Sequence, residues 1–183
     1  TIEPLTYEII VVDNASSDGS MAMLAAKYPQ VKIIANKENR GFGAANNQGF
    51  AVMQGRYALL INTDAVLTAG AVQKLWAFAE ANPRAAIVCG QLLNADGSKQ
   101  NSIANFPTFL TLMTNASLLE YLLPRHFPSK RYHHQDPIEI DSAIGACMMI
   151  RKDVFEEVGG FDENLQIAFN DVDLCMKIRA AGY

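Results

Sequence analysis

Three acidic residues stand where predicted strands or helices begin or end, the places from which a carboxylate reaches a ligand. Asp171 lies in Phe169-Asn170-Asp171-Val172-Asp173, at the head of an amphipathic stretch that follows the turn signal Gly159-Gly160. An acid held there is a candidate general base, and Asn170 or Asp171 is also suited to N-cap the helix. Asp64 ends the run Leu60-Ile61-Asn62-Thr63-Asp64, where a carboxylate either binds a hard cation through oxygen or caps the next turn. Asp13 ends Val11-Val12-Asp13-Asn14, where its oxygens serve a ligand N–H or an Asx turn. Asp18-Gly19-Ser20 supplies the turn and cap of the following helix, so Asp18 reads as structural.

A second feature is the small-residue segment Asn39-Arg40-Gly41-Phe42-Gly43-Ala44-Ala45-Asn46-Asn47-Gln48-Gly49. It lets backbone approach a ligand closely and opens a helix whose free N–H groups face an anion. It mimics a dinucleotide fingerprint, but Asn46 replaces the third glycine and the polar loop Asn36-Lys37-Glu38-Asn39-Arg40 separates it from its strand. The match is weak even though Asp64 follows about 20 residues on, as a ribose-binding acid would.

The elements that must position these groups alternate. Strands are predicted at 7–12, 31–35, 57–62 and 86–89, with helices at 20–28, 43–53 and 72–81 between them, which argues for a parallel sheet covered by helices on both faces. The regularity lapses between Leu92 and Pro137, where Asn94-Ala95-Asp96-Gly97 signals a hairpin-type turn, 109–123 reads as a helix and 124–137 as a polar loop holding His126, His133 and His134. A strand over 140–150 with a close-approach point at Gly145-Ala146, a short helix at 153–158 and a last helix at 172–181 complete the chain. Trp76, Phe106, Phe109 and Tyr121 read as core aromatics, and the histidines as solvated loop residues.

Composition narrows the classes. With 183 residues, half of them apolar, the chain is long enough for one domain with a sizeable core. A formal net charge of -4 argues against nucleic-acid binding, which draws on clustered Lys and Arg. Cys89, Cys147 and Cys175 are odd in number and set in apolar runs, so they read as buried reduced thiols. No apolar run reaches the ~20 residues of a membrane-spanning helix, and the cytoplasm or the inner face of its membrane is the expected location.

Taken together, the Asp13, Asn62-Thr63-Asp64 and Asn170-Asp171 segments resemble the family 2 glycosyltransferases along nearly the whole chain. The resemblance implies a GT-A, Rossmann-like α/β fold that moves a sugar from a nucleotide diphosphate to an acceptor hydroxyl with inversion. It implies a nucleotide-sugar half at 1–91 and an acceptor half at 92–183. Asp13, Asn14, Gly41, Asn46 and Asp64 would contact the nucleotide, and Asp64 would hold Mg or Mn in a shortened Asp-X-Asp motif whose first acid is here Asn62. Asp171 would be the catalytic base, preceded by Asn170 where the motif has Glu. Gly145, Ala146 and Asp162 would line the sugar and acceptor side, with tight packing and turn formation as their other reading. The Asn-Thr-Asp and Phe-Asn-Asp-Val-Asp forms look most like rhamnosyltransferase-type members of cell-surface polysaccharide synthesis, with a dTDP-rhamnose or UDP-sugar donor and a glycan or lipid-linked glycan acceptor. The rival expectation is a nucleotide- or glycan-binding module without turnover. Family members carry a further central strand before the segment beginning at Thr1, and usually another strand after Tyr183. Without the former, the strands at 7–12 and 57–61 are expected to pair directly or to take a strand from a second copy, making a homo-oligomer.

Overall fold

The computed structural model describes residues 5–108, 113–114, 116–124, 126–129, 136–165 and 169–183. Strands β1 (Ile10–Asp13), β2 (Lys32–Ala35), β3 (Tyr57–Ile61) and β4 (Ile87–Cys89) alternate with helices α1 (Ser20–Lys27), α2 (Gly41–Val52) and α3 (Ala71–Ala81). Beyond them come β5 (Ile103–Ala104), α4 (Ala116–Leu122), β6 (Ser142–Ala143), β7 (Cys147–Arg151), α5 (Lys152–Glu157) and α6 (Asn170–Ala180). Short β-branched runs and small-residue helices thus fold as their periodicity dictates, within a residue or two at most ends.

Pairing is less regular than the alternation. β1 and β2 pair in parallel, with Val11 opposite Ile33. β7 enters antiparallel between β3 and β4, so a strand from the second half of the chain becomes the centre of a three-stranded sheet. Cys147, Met148, Met149 and Ile150 are all buried, as a central strand covered on both faces requires. Its side chains alternate: Met148 and Ile150 join Phe50, Phe155 and Leu174 on one face, and Cys147 and Met149 join Leu75, Ala79 and Val88 on the other.

The direct pairing expected between 7–12 and 57–61 is absent: β1 is bonded to β2 and β3 to β7, and no strand among the described residues joins the two sheets. Among the described residues β1 and β3 each pair with a strand on one side only, and both are largely part-buried, with Asp13 buried and Ile61 exposed. The stretch read as one strand over 140–150 is broken, because Ile144, Gly145 and Ala146 leave the ladder between β6 and β7. β6 turns instead to β5.

Other expectations divide. Trp76 and Phe106 pack against the core clusters, whereas Tyr121 is 77% exposed, because its phase on α4 turns it to solvent. His126 is exposed; Phe109, His133 and His134 lie outside the described residues. All three cysteines are free, and burial pushes the Cys89 thiol up to about 11. The turn at Asn94–Gly97 is formed, with the Gly97 N–H donating to Asn94 O over 2.9 Å.

Candidate active site

α2 is a poor helix by propensity, with Gly43, Asn46, Asn47 and Gly49 in its interior. Tertiary contacts hold it. Gly49 approaches Val12 of β1, Phe50 stacks on Phe155 with ring centroids 3.5 Å apart, and the side chain of Asn47 clamps Phe161. Asn47 Nδ2 donates to Phe161 O, and Phe161 N donates to Asn47 Oδ1, each over 3.0 Å. Gly160, at φ 70°, lies so near that an added Cβ would sit 2.9 Å from Asn47 Oδ1. A left-handed residue against an occupied wall has to be glycine.

This clamp fixes Phe161, which stands ahead of α6 in the chain. Phe169 precedes the helix at φ 67°, a left-handed conformation unusual for a bulky residue. That turn buries Asn170, 5% exposed, against Gly43, where a Cβ would meet Asn170 Oδ1 at 2.8 Å and Asp162 O at 3.1 Å. Asn170 Oδ1 has no hydrogen-bond partner among the described residues.

The helix is not N-capped as expected. Phe169 holds the N-cap position and makes no side-chain cap bond, so neither Asn170 nor Asp171 is the N-cap residue. Asp171 instead reaches across: Gly145 N donates to its Oδ2 over 3.1 Å, and Val172 N to its Oδ1 over 2.9 Å. Asp173, two residues on, points away and pairs with Lys177 over 2.8 Å.

Gly145 joins this acid to the β3 end of the site. An added Cβ there would lie 3.4 Å from Phe42 and 3.9 Å from Asp171 Oδ2, and the neighbouring Ala146 O accepts from Asn62 N over 3.1 Å. One continuous path therefore runs from the Asn62–Asp64 turn through Ala146 and Gly145 to Asp171. Asp64 is exposed on that turn, which closes through Ala65 N donating to Asn62 O.

The end of β1 forms a second polar group. Asn14 Nδ2 donates to Gly41 O over 3.2 Å, Asn36 Nδ2 donates to Asn14 Oδ1 over 3.0 Å, and Asn36 and Gln48 exchange amide bonds over 2.8 and 2.9 Å. Asn14 and Gly41 are thus brought together. Asn46 is turned back on its own helix, donating to Phe42 O over 2.8 Å. Asp13 is buried, and both its oxygens accept from Ser16 N over 3.2 to 3.3 Å. Asp162 closes a local turn by accepting from Asn164 N, which holds its carboxyl below the usual range.

Gly43, Asn47 and Gly160 lie in segments that the sequence singles out, but the packing that joins them to Phe161 and Asn170 is not legible there. The signal available was the adjacent asparagines inside a helix, which propensity disfavours unless a side chain has work elsewhere.

A cleft of about 550 Å³ opens at the other end of the β3 and β7 strands, by Arg56, Tyr57, Glu80, Arg151 and Asp153. Its charges are already paired, Arg56 with Glu80 and Arg151 with Asp153. It lies away from the Asn62–Asp171 path and is not the candidate site.

Parallel β1 and β2, the antiparallel β7 between β3 and β4, and the helices that alternate with them give the α/β architecture of the GT-A glycosyltransferases. The chain belongs to glycosyl transferase family 2, whose profile matches residues 2–159. It is 27% identical over 190 residues to the N-acetylglucosaminyl-diphospho-decaprenol L-rhamnosyltransferase of Mycobacterium tuberculosis, covering 96% of this chain and 62% of the relative. The low-salt glycan biosynthesis hexosyltransferase Agl10 of Haloferax volcanii is 26% identical over 94% of this chain and 53% of its own length. The chain therefore spans about half to two thirds of these relatives. Among solved structures, the mannosyltransferase PcManGT of Pyrobaculum calidifontis, in complex with GDP-Man and Mn2+, superposes with a TM-score of 0.62 at 21% identity, over 96% of this chain and 44% of that one. GalNAc-T7 with UDP, GalNAc and Mn2+ gives 0.66 at 17% identity, over 96% and 35%. At these identities the structures speak for the fold. No described helix is long and apolar enough to cross a membrane.

Proposed function

We propose that the site transfers a sugar from a nucleotide diphosphate to an acceptor hydroxyl by a single, inverting displacement. The reading is carried by the bonded path from the Asn62–Asp64 turn to Asp171. Asp171, oriented by two backbone N–H groups, takes the proton of the attacking hydroxyl while the bond from the anomeric carbon to the diphosphate oxygen breaks. The similarity to the mycobacterial rhamnosyltransferase supports dTDP-rhamnose, or a UDP-sugar, as donor and a glycan or lipid-linked glycan as acceptor, at the inner face of the membrane.

Asp64 fits a divalent ion, Mg or Mn, by its chemistry: it is an exposed carboxylate at a strand end, a hard oxygen ligand. No cluster of three His, Cys, Asp or Glu side chains gathers among the described residues. The protein's share of the ion would then be this one carboxylate, with diphosphate oxygens and water completing its shell. When bound, such an ion neutralises charge on the departing diphosphate. On the nucleotide side, Asp13 keeps acceptor capacity beyond its turn for a base N–H, Asn14 and Gly41 stand together at the start of α2, and Asn46 follows inside the helix as the remaining candidate contact. Gly145 and Ala146, with Asp162, form the sugar and acceptor side.

The Asp64→Ala variant is expected to lose the divalent-ion dependence of dTDP or UDP binding while its thermal melt stays that of the parent. Calorimetric titration with and without Mn2+ checks it, and unchanged metal-dependent affinity would remove Asp64 from the role.

One observation favours a second reading, a binding module without turnover. Among the described residues no strand is bonded to the second edge of β1 or of β3. Saturable nucleotide binding with no product would decide for it.

A further inference from the structure

We infer that the ring of Phe42 is the platform on which the sugar of the acceptor rests beside Asp171; the inference rests on the transfer reading and adds a specificity-determining residue to it. Phe42, Phe161, Phe155 and Phe50 form one run of ring contacts. Phe42 meets Phe161 with centroids 5.6 Å apart and planes near perpendicular, Phe161 meets Phe155 at 5.5 Å, and Phe155 stacks on Phe50. The last three rings are buried, whereas Phe42 is 36% exposed. The run is thus anchored in the core and leaves its outermost ring partly free.

The place of that ring decides what it meets. Phe42 Cζ and Asp171 Oδ2 lie 3.4 and 3.9 Å from one point, the position a Cβ on Gly145 would take. Gly145 supplies none, so the ring and the acid border the same small space, and Gly145 N holds the acid there. Asn46 Nδ2, bonded to Phe42 O over 2.8 Å, ties down the backbone from which the ring extends. A pyranose suits both neighbours at once: its C–H groups carry slight positive charge and settle on the negative face of an aromatic ring, while its hydroxyls reach a carboxylate. Because Asp171 takes the proton of the attacking hydroxyl, the sugar nearest to it is the acceptor's. A ring in this position selects acceptors whose C–H groups gather on one face.

Saturation-transfer NMR on the full-length protein tests it, with the methyl glycosides of glucose, galactose, mannose and N-acetylglucosamine as probes. Saturation of the aromatic protons is expected to reach the C–H groups on one face of at least one glycoside, and to fade when the phenylalanine rings are deuterated, a change that leaves fold and packing as they are. Phe42→Leu, which keeps an apolar contact for Phe161, should weaken that glycoside about tenfold while nucleotide affinity and the thermal melt stay close to the parent's. In steady-state assays the same variant should raise KM for the acceptor and leave KM for the donor. If Phe42→Leu unfolds, the deuteration comparison decides. Binding that depends on Phe42, with no transfer from any donor, would remove the transfer reading and leave the sugar platform. No aromatic saturation of any glycoside, transfer with an unchanged acceptor KM in folded Phe42→Leu, or a loss that falls on the donor KM instead would each overturn the inference.

Discussion

Asp171→Asn in the full-length protein is expected to lower turnover about 100-fold or more while donor affinity stays close to that of the parent. The substitution keeps the shape of the side chain. An Asn oxygen still accepts from Gly145 N, now 3.1 Å from Asp171 Oδ2, so the link to the sugar-side segment survives. Phe169 keeps the N-cap position, which carries no side-chain bond, while Val172 N loses the acceptor it has in Asp171 Oδ1, a change at the first turn of α6 that a thermal melt reads separately from turnover. What is lost is the capacity to take a proton, and an effect confined to the chemical step appears in kcat rather than in nucleotide binding. Steady-state rates and a nucleotide titration on the two proteins check this, and near-parental turnover would reduce Asp171 to a structural tie.

The second large effect is expected at a residue with no chemistry of its own. Gly43→Ala places a methyl group 2.8 Å from Asn170 Oδ1, 3.1 Å from Asp162 O and 3.2 Å from Phe161 Cβ. Two of these neighbours cannot yield cheaply: Asp162 O is backbone, and Phe161 is held by the Asn47 clamp. Overpacking of this kind costs about 1–3 kcal/mol, to be read as a lower denaturant midpoint with an unchanged slope. If α6 gives way instead, Asp171 moves with Asn170, and turnover falls while α2 stays in place. A variant matching the parent in both midpoint and rate would show that the approach of α2 to α6 is looser than these distances require.

Sequence reasoning reached the site through the ends of elements. Apolar runs such as Val11-Val12 and Leu60-Ile61 announce where a strand stops, with Asp13 next and Asp64 three residues on, so their positions were legible from local pattern. Strand neighbours were not. β7 packs between β3 and β4 because its four successive apolar residues satisfy two faces at once, a choice made by tertiary packing that no local period encodes. The Asn47 clamp joins residues 114 positions apart, and an amide bonded to distant backbone leaves no spacing to read. Tyr121 shows a related failure: apolar character put it in the core, but the phase of α4, fixed by Leu119, puts it outside. Asp171 falls between these cases. Its place at the head of α6 could be read, yet its tie to Gly145, in addition to Val172 N of its own helix, joins residues 26 positions apart and leaves no spacing to read.

The central claim is that the path from the Asn62–Asp64 turn to Asp171 serves group transfer. Release of nucleoside diphosphate by the full-length protein tests it most directly, measured with a panel of dTDP-, UDP- and GDP-sugars, Mn2+, and a polyprenyl-diphosphate-linked acceptor. The account predicts release that requires both the ion and the acceptor and yields a product of inverted anomeric configuration. Nucleotide binding with no release from any donor, or release unaffected by removing the ion, would contradict it.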